Sequence, residues 1–362
     1  MSVFGTMKDP RTTSKGNLRH QLVDIVFLVF SAVVSGCNDW DSIEIFGNGQ
    51  IDWLRKFYPY KNGIPSHDTL NRVFSNLETK VFTEKFIEWT QILNRLSDEE
   101  TVAIDGKTIR GSYDKNKGQS AFHIVSAYAH GNRLCLGQVE TKEKSNEITA
   151  IPELLELIDI KNATVTADAM ACQKEIVSKI REKEAHYVIA VKSNQKSLET
   201  QIEKLFKITK PSSIATELNN NHGRVETRKC FVINNFDFFD DHEEWTDLKG
   251  IVKIETERYI KSTQKTSYQT RYYITSHSGS AEKLNHFIRN HWSIENNLHW
   301  MLDVVFQEDK SRRRNKNSAS NFNVISKLAL ALIEKVNSKN TKTKRRQQAA
   351  YDAKFRELVL GI

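Results

Sequence analysis

The chain has 362 residues and a mass of 41.7 kDa, is 39% apolar and 27% charged, and carries a formal net charge of +8 with only 15 Gly and 5 Pro. At ~100–200 residues per domain, that length allows two or three domains with a sizeable core, and the composition excludes a small disulfide scaffold, a collagen and a linker-dominated chain. Cys37, Cys135, Cys172 and Cys230 stand 98, 37 and 58 residues apart with no Cys-x-x-Cys pair, which points away from a zinc cluster or disulfide framework and towards a reducing cytosol.

In chain order, the first predicted elements are helices. Leu22–Val34 is the most apolar stretch, but it is 13 residues long, holds Asp24, and falls short of the ~20 residues that span a bilayer. It reads as a buried helix. It follows Arg19 and His20 and lacks a small-residue cleavage site, so a signal peptide and a membrane anchor are not expected and the chain is placed in the cytoplasm. Apolar spacing of three and four predicts further helices over 40–57, 66–77 and 83–96, with Asp39 or Asp41 capping the first of these and Ser66 the second. The polar stretch 97–100 marks a boundary, giving a helical N-terminal domain over 1–96.

From Thr101 short runs rich in Val, Ile and Tyr predict strands over 102–109, 121–129 and 134–141, an antiparallel meander. A helix over 147–157, a strand over 163–167, a helix over 172–184 and a strand over 187–191 follow. The order predicts an α/β fold with a mixed sheet flanked by helices. Strand-like runs return over 225–233, 251–260 and 268–275, a strand-rich insertion within about 200–278. A long helix is expected over 281–305. Residues 97–335 are assigned to this second domain and 336–362 to a basic C-terminal tail. Between 310 and 346 there are twelve Lys/Arg, including Arg312, Arg313 and Arg314, against one acid, Glu334; the local net is +11 and the remainder of the chain carries −3. Such a segment reads either as a polyanion-binding face or as a solvated tail.

Three carboxylates stand out. Asp105 follows the run Val102, Ala103, Ile104, and Asp168 follows Val165, Thr166, Ala167. Each therefore ends a strand. If the strands are neighbours, the two acids converge where a divalent cation would neutralise them; singly, an Asp after a strand is a turn or cap residue. Glu295 falls on the apolar stripe of the last helix, beside Ile288, Ile294, Leu298 and Leu302. A buried carboxylate needs a partner, a proton or a metal, and Arg289 or Lys107 is the structural alternative. His291, Glu295 and His299 are spaced four apart, but no H-E-x-x-H string is present and packing is the plainer reading of the histidines. Asp303 is a further supporting candidate. Gly106-Lys107-Thr108 lacks the earlier glycine of a phosphate-binding loop, and neither a dinucleotide fingerprint nor a serine nucleophile elbow occurs.

With these residues in place, the chain resembles the bacterial insertion-sequence transposases of the DDE type, in the branch of the H-repeat-associated proteins linked to Rhs elements. The strings that carry the resemblance span almost the whole chain. They are Gly63 to Thr69 (GIPSHDT), Ala103 to Ser112 (AIDGKTIRGS), Glu143 to Ile148 (EKSNEI), Asp168 to Lys174 (DAMACQK), His222 to Arg228 (HGRVETR) and His291 to Asn296 (HWSIEN). The resemblance implies a ribonuclease-H-like core whose three acids correspond to Asp105, Asp168 and Glu295, 63 and then 127 residues apart. It implies Mg²⁺, with Mn²⁺ as a substitute, and phosphoryl transfer on double-stranded DNA: cleavage at element ends, then attack of the freed 3′-OH on target DNA. It further implies a homodimer on DNA and a nucleoid location. Lys107, Arg110, Lys192, Arg312, Arg313 and Arg314 are the candidate phosphate contacts, and His291 and Asp303 the supporting residues around the acids. Where related transposases carry Tyr, Arg and Lys about the glutamate, this chain has Ile288, His291 and Leu302. A metal-dependent nuclease without strand transfer and an inactive DNA-binding remnant are the alternatives.

Overall fold

The computed structural model describes residues 2–11, 18–93, 99–113, 118, 120–141, 147–221, 223–237, 239–240 and 242–362. The predicted boundary at residue 97, and the string residues 143–146 and His222, lie outside the described residues.

The helical part begins with α1 (Ser2–Gly5) and α2 (Leu22–Val34), the second matching its expected limits and burying nearly every residue. The expected helix over 40–57 is divided into α3 (Trp40–Gly49) and α4 (Ile51–Leu54). Asp39 caps α3 by accepting from the Ser42 N–H at 2.7 Å, and Ser66 caps α5 (His67–Asn76) through the Thr69 N–H. α6 (Thr79–Leu93) completes the group. Among the described residues no helix is long and apolar enough to cross a membrane.

Strands β1 (Thr101–Ile109), β2 (Phe122–Ala129) and β3 (Leu134–Thr141) form the antiparallel meander. After α7 (Glu147–Leu157) the chain returns as β4 (Thr164–Ala167), parallel to β1. After α8 (Lys174–Glu182) it returns again as β5 (His186–Val191), parallel to β4. The order β3-β2-β1-β4-β5 is the ribonuclease-H-like arrangement that the sequence led one to expect. Two elements of this region went unpredicted, as did the helices at 2–5 and beyond residue 315: α9 (Lys196–Ile208) and β6 (Ser213–Asn221), an edge strand of alternating exposure with no apolar run to betray it. Together with β7 (Arg224–Ile233), β8 (Gly250–Ile260) and β9 (Lys265–Thr275) it continues the same sheet, because β9 pairs with β5. The strand-rich insertion is therefore an extension of the core sheet to nine strands, in the order β3-β2-β1-β4-β5-β9-β8-β7-β6.

Helix α10 (Ala281–His291) crosses one face of this sheet, followed by a π-helical segment at Ile294–His299, by α11 (Trp300–Val304) and by α12 (Lys316–Lys335). The long α12 joins the two halves. Its Asn321 amide donates to the carbonyls of Phe74 and Leu77 in the helical part, and Lys327 donates to Ser126 and Gln138 on β2 and β3. One apolar core consequently runs from α2 through α12 into the sheet.

The expected C-terminal tail needs correction. Residues beyond 336 form α13 (Lys342–Tyr351) and α14 (Ala353–Leu360), and Arg346 is buried with its guanidinium donating to the carbonyls of Val33 and Val305. Much of the basic segment is spent inside the fold. Lys327 is buried, Lys342 pairs with Glu334 at 2.9 Å, and Arg345 donates to the carbonyls of Ile333 and Val336 at the end of α12.

Candidate active site

Parallel pairing sets the first two acids side by side. The register ends at Ile104 opposite Ala167, so the next residue on each strand is Asp105 and Asp168. Residues in register on adjacent strands share a face, and one inter-strand step is about 4.8 Å. Both carboxylates face α10, whose His291 accepts or donates at 3.1 Å to the Thr166 hydroxyl two residues before Asp168. Burial holds His291 below the usual histidine range against the pull of the two aspartates.

Glu295 reaches the same place by a different route from the one its spacing suggested. An unbroken α-helix would bury it along the stripe with Ile294 and Leu298. The π-helical turn widens the helix there, so Ile294 and Leu298 stay in the core while Glu295 is exposed on the cleft side. Neither candidate structural partner is spent on it: Arg289 pairs with Glu217 at 3.1 Å, and Lys107 with Asp303 and Glu308. Asp105, Asp168 and Glu295 line one cleft of about 180 Å³ together with Lys192, Arg271, Trp292 and His291.

The electrostatics of the three acids differ. Burial acts to raise the Asp105 carboxyl, but it is outweighed by His299, whose Nδ1 lies 3.4 Å from Asp105 Oδ2, and by His291 and the Gly106 N–H, so the net shift is downward. Asp168 accepts from the Met170 N–H at 2.9 Å. Glu295 is raised, by burial first and then by the negative charge of Asp105. Like charges this close are relieved by a shared cation or a proton.

The proposed cation can be tested against this donor set. Among the described residues, no three His, Cys, Asp or Glu side chains stand close enough together to cage an ion by themselves. Mg²⁺, however, takes one or two carboxylates and completes its octahedron with water and substrate phosphate, and Mn²⁺ shares that preference for oxygen. Asp105 within β1, Asp168 just past the end of the adjacent β4, and a glutamate that feels the charge of Asp105 fit an ion held jointly with a phosphate.

Of the other predicted residues, Lys192 is exposed at the cleft and Arg110 is exposed where β1 ends. Arg312 and Arg314 are also exposed, on the loop before α12. Gly111 presses that loop against the end of β1: a Cβ at this position would sit 1.8 Å from the Ser311 carbonyl oxygen. Gly111→Ala is therefore expected to displace the 309–311 backbone and destabilise the fold by about 1–3 kcal/mol, read as a lowered urea midpoint; an unchanged midpoint would show that the loop yields freely.

Two of the predicted phosphate contacts are directed inward. Lys107 Nζ lies 2.5 Å from Asp303 Oδ1 and 2.7 Å from Glu308 Oε2 and donates to the His299 carbonyl at 3.3 Å, with its side chain 13% exposed. Arg313 donates to the Asn38 carbonyl and sits over the Phe322 ring, 3.3 Å from its centroid; burial pushes its guanidinium down to about 9. Lys107 is structural here, because fixed acceptors hold it before any phosphate arrives; Arg313 is packed on the Phe322 ring and bonded through its terminal nitrogens to Ser311 and Asn38, with its buried Nε left without a partner. Asp303 accordingly anchors Lys107 and touches none of the three acids in the bonds described. Sequence reasoning passed over His299 and Arg271 as partners of the acids. The four-residue spacing from Glu295 was a signal for His299, whereas nothing local marked Arg271, which arrives from β9.

Comparison with known proteins gives the family of the chain. Residues 96–332 match the family described as Transposase DDE domain, and residues 1–90 match the DDE_Tnp_1-associated family. YncI of Escherichia coli O157:H7, named as a transposase, is 43% identical, with 97% of this chain and 92% of that one covered. YhhI of Escherichia coli strain K12, named as an H repeat-associated transposase, is 40% identical, with 100% of this chain and 97% of that one covered. Among solved structures, the piggyBac transposase synaptic complex with hairpin DNA aligns with a TM-score of 0.46 and 11% identity, over 100% of this chain and 81% of that chain. With a family match over most of its length and relatives at this identity, the chain belongs to the DDE transposases, in the branch of the H repeat-associated proteins.

Proposed function

We propose that the protein is a DNA transposase that cuts the ends of an insertion sequence and joins the freed 3′-OH to target DNA, with Asp105, Asp168 and Glu295 as its catalytic and metal-holding residues. The observation that carries this reading is the placement of the three acids in one cleft by two adjacent parallel strands and a π-helical turn. Bound Mg²⁺ would supply charge neutralisation at the scissile phosphate and at the leaving 3′ oxygen. The chain's own residues do the positioning. Asp105 and Asp168 fix where a phosphate approaches, His299 helps to hold the Asp105 carboxyl below its ordinary value, and Lys192 and Arg271 offer positive charge to non-bridging oxygens. In-line displacement at phosphorus needs orientation and charge compensation rather than a protein nucleophile, which is the chemistry this cleft provides.

In this reading Arg110, Arg312 and Arg314 hold flanking phosphates. Residues 1–96 form a unit that positions element ends, residues 97–335 carry the chemistry, and the chain acts as a homodimer on double-stranded DNA at the nucleoid. The test is a cleavage and joining assay with a labelled element end and a target plasmid, in Mg²⁺ or EDTA, comparing wild type with Asp168→Ala. Joining that requires both the metal and Asp168 is the expected result. Cleavage without joining would replace this reading with that of a nuclease, and binding without either reaction with that of an inactive remnant.

A further inference from the structure

The outer strands of the sheet outrun the helix that covers them. On the face that carries the acids, alternation and register bring Cys230, Val252, Ile254 and Tyr273 beneath α10, where they pack against Leu284 and Phe287. Farther along the same strands and on the same face come Arg224 and Arg228 on β7, Arg258 on β8 and Arg271 on β9. Arg224 is exposed, Arg258 and Arg271 are half-buried, and Arg228 is buried. They floor an open groove of about 760 Å³, walled by Arg289 and Trp292. Arg271 and Trp292 line both this groove and the acid cleft, so the two are continuous.

The groove is strongly and incompletely compensated for charge. Five arginines line it against one carboxylate, Glu226. Glu226 is occupied by Arg258 at 2.8 and 2.9 Å, and Arg289 turns to Glu217. Among the described residues, Arg224, Arg228 and Arg271 form no direct ion pair with a carboxylate, and Arg271 acts on Glu295 only through its charge at a distance. Arg228 is only 8% exposed, and its Nε is buried with no hydrogen-bond partner. A buried guanidinium without a counter-charge is costly unless an anion completes it. Nearby Asn219 and Gln269 add neutral amides able to donate to phosphate or sugar oxygens.

We propose that this groove is a binding track for the phosphate backbone of DNA, with Arg224, Arg228 and Arg271 leading the strand across the sheet from β7 to the acids. Five inter-strand steps separate β7 from β1, about 24 Å at ~4.8 Å each. At ~3.4 Å per nucleotide of one strand, the track accommodates about seven nucleotides. The assignment rests on the transposase reading of the acids but concerns other residues and another measurement.

The experiment is fluorescence anisotropy of the full chain with a labelled DNA duplex over a salt series in EDTA, so that no reaction is required. Each phosphate contact contributes ~0.9 to the slope of log affinity against log salt. Arg224→Gln/Arg228→Gln is expected to lower that slope by about 2 and to weaken binding at least tenfold at low salt. Lys204→Gln/Lys207→Gln makes the same charge change on α9, on the opposite face, and should match the wild type. If the arginine pair instead matches the wild type, or the wild type binds no DNA, the track does not exist. Should Arg228→Gln fail to fold by thermal unfolding, Arg224→Gln alone, with an exposed side chain, must lower the slope by about 1; no change overturns the proposal. A wild type that joins no DNA yet shows the arginine-dependent slope keeps the track and overturns the transposition reading, and the reverse result does the opposite.

Discussion

Replacing Lys107 by methionine is expected to lower unfolding stability by about 3–5 kcal/mol, the range for removing one partner of a buried ion pair. Lys107 is held between Asp303 and Glu308, and Glu308, 8% exposed, is bound on its other oxygen by the Asn323 amide of α12 at 2.6 Å. The substitution keeps the volume and leaves two carboxylates facing each other. The pH dependence has a definite sign. Burial acts to raise Glu308, but Lys107 and Asn323 outweigh it and hold the carboxyl below its ordinary value of 4.5, so its contribution is present above that pH and is lost as pH falls through the depressed value. Burial acts to lower Lys107, but Glu308 and Asp303 raise it above its ordinary 10.5, so its contribution is present below that pH and is lost as pH rises through the elevated value. The difference between wild type and variant should therefore be widest between about pH 4.5 and 10.5 and narrow in acid. Chemical denaturation across pH measures it. Adding Glu308→Gln to Lys107→Met should recover part of the loss, because the orphaned charge goes with it. A Lys107→Met protein within 1 kcal/mol of wild type would show that the network is not what fixes the end of β1.

The other large effect concerns the reaction. Asp105→Asn and Asp168→Asn are each expected to cut the rate of strand cleavage by at least ~10³, on the order of 4 kcal/mol of transition-state stabilisation, since each removes a fixed charge at the reacting phosphate. The double variant should be little worse than either single one, because groups that act as a unit do not add. DNA affinity in EDTA should be unchanged or tighter, since the removed carboxylates repel phosphate. Single-turnover cleavage and anisotropy on the same preparations separate the two quantities. Equal losses in cleavage and affinity would mean that the aspartates serve binding or folding instead, and cleavage within tenfold of wild type would place the chemistry elsewhere.

How far the sequence reached can be judged residue by residue. Leu22–Val34 was legible end to end, since a 13-residue apolar run is short-range information. The strand end before Asp168 was legible for the same reason, and the family strings were contiguous in the chain; Asp105, expected to end a strand, instead lies within β1, which continues to Ile109 because its pairing with β2 outlasts its pairing with β4. β6 was not, because its alternation is mostly polar and its place comes from pairing with β7. Glu295 was found by an argument that the structure revises: its spacing implied burial, and the π-helical turn, which depends on what the helix packs against, exposes it to the cleft instead.

Charge shows the division most clearly. The composition established a basic segment between 310 and 346, and it could not say which of those cations meet solvent. Arg346 and Lys327 are buried among backbone carbonyls and polar side chains, Arg313 lies on an aromatic ring, and Lys107 is locked between two acids. A set of arginines without a direct ion pair lies instead on β7 and β9, outside the basic segment. Periodicity and turn residues act over a few positions, so the sequence by itself determined the strongly patterned elements and the family, while α9, β6, α12 and the C-terminal helices escaped it. Which side chains face one another was decided by strand register and helix packing between residues far apart in the chain, and with it which charges are paired, buried or left open to a phosphate.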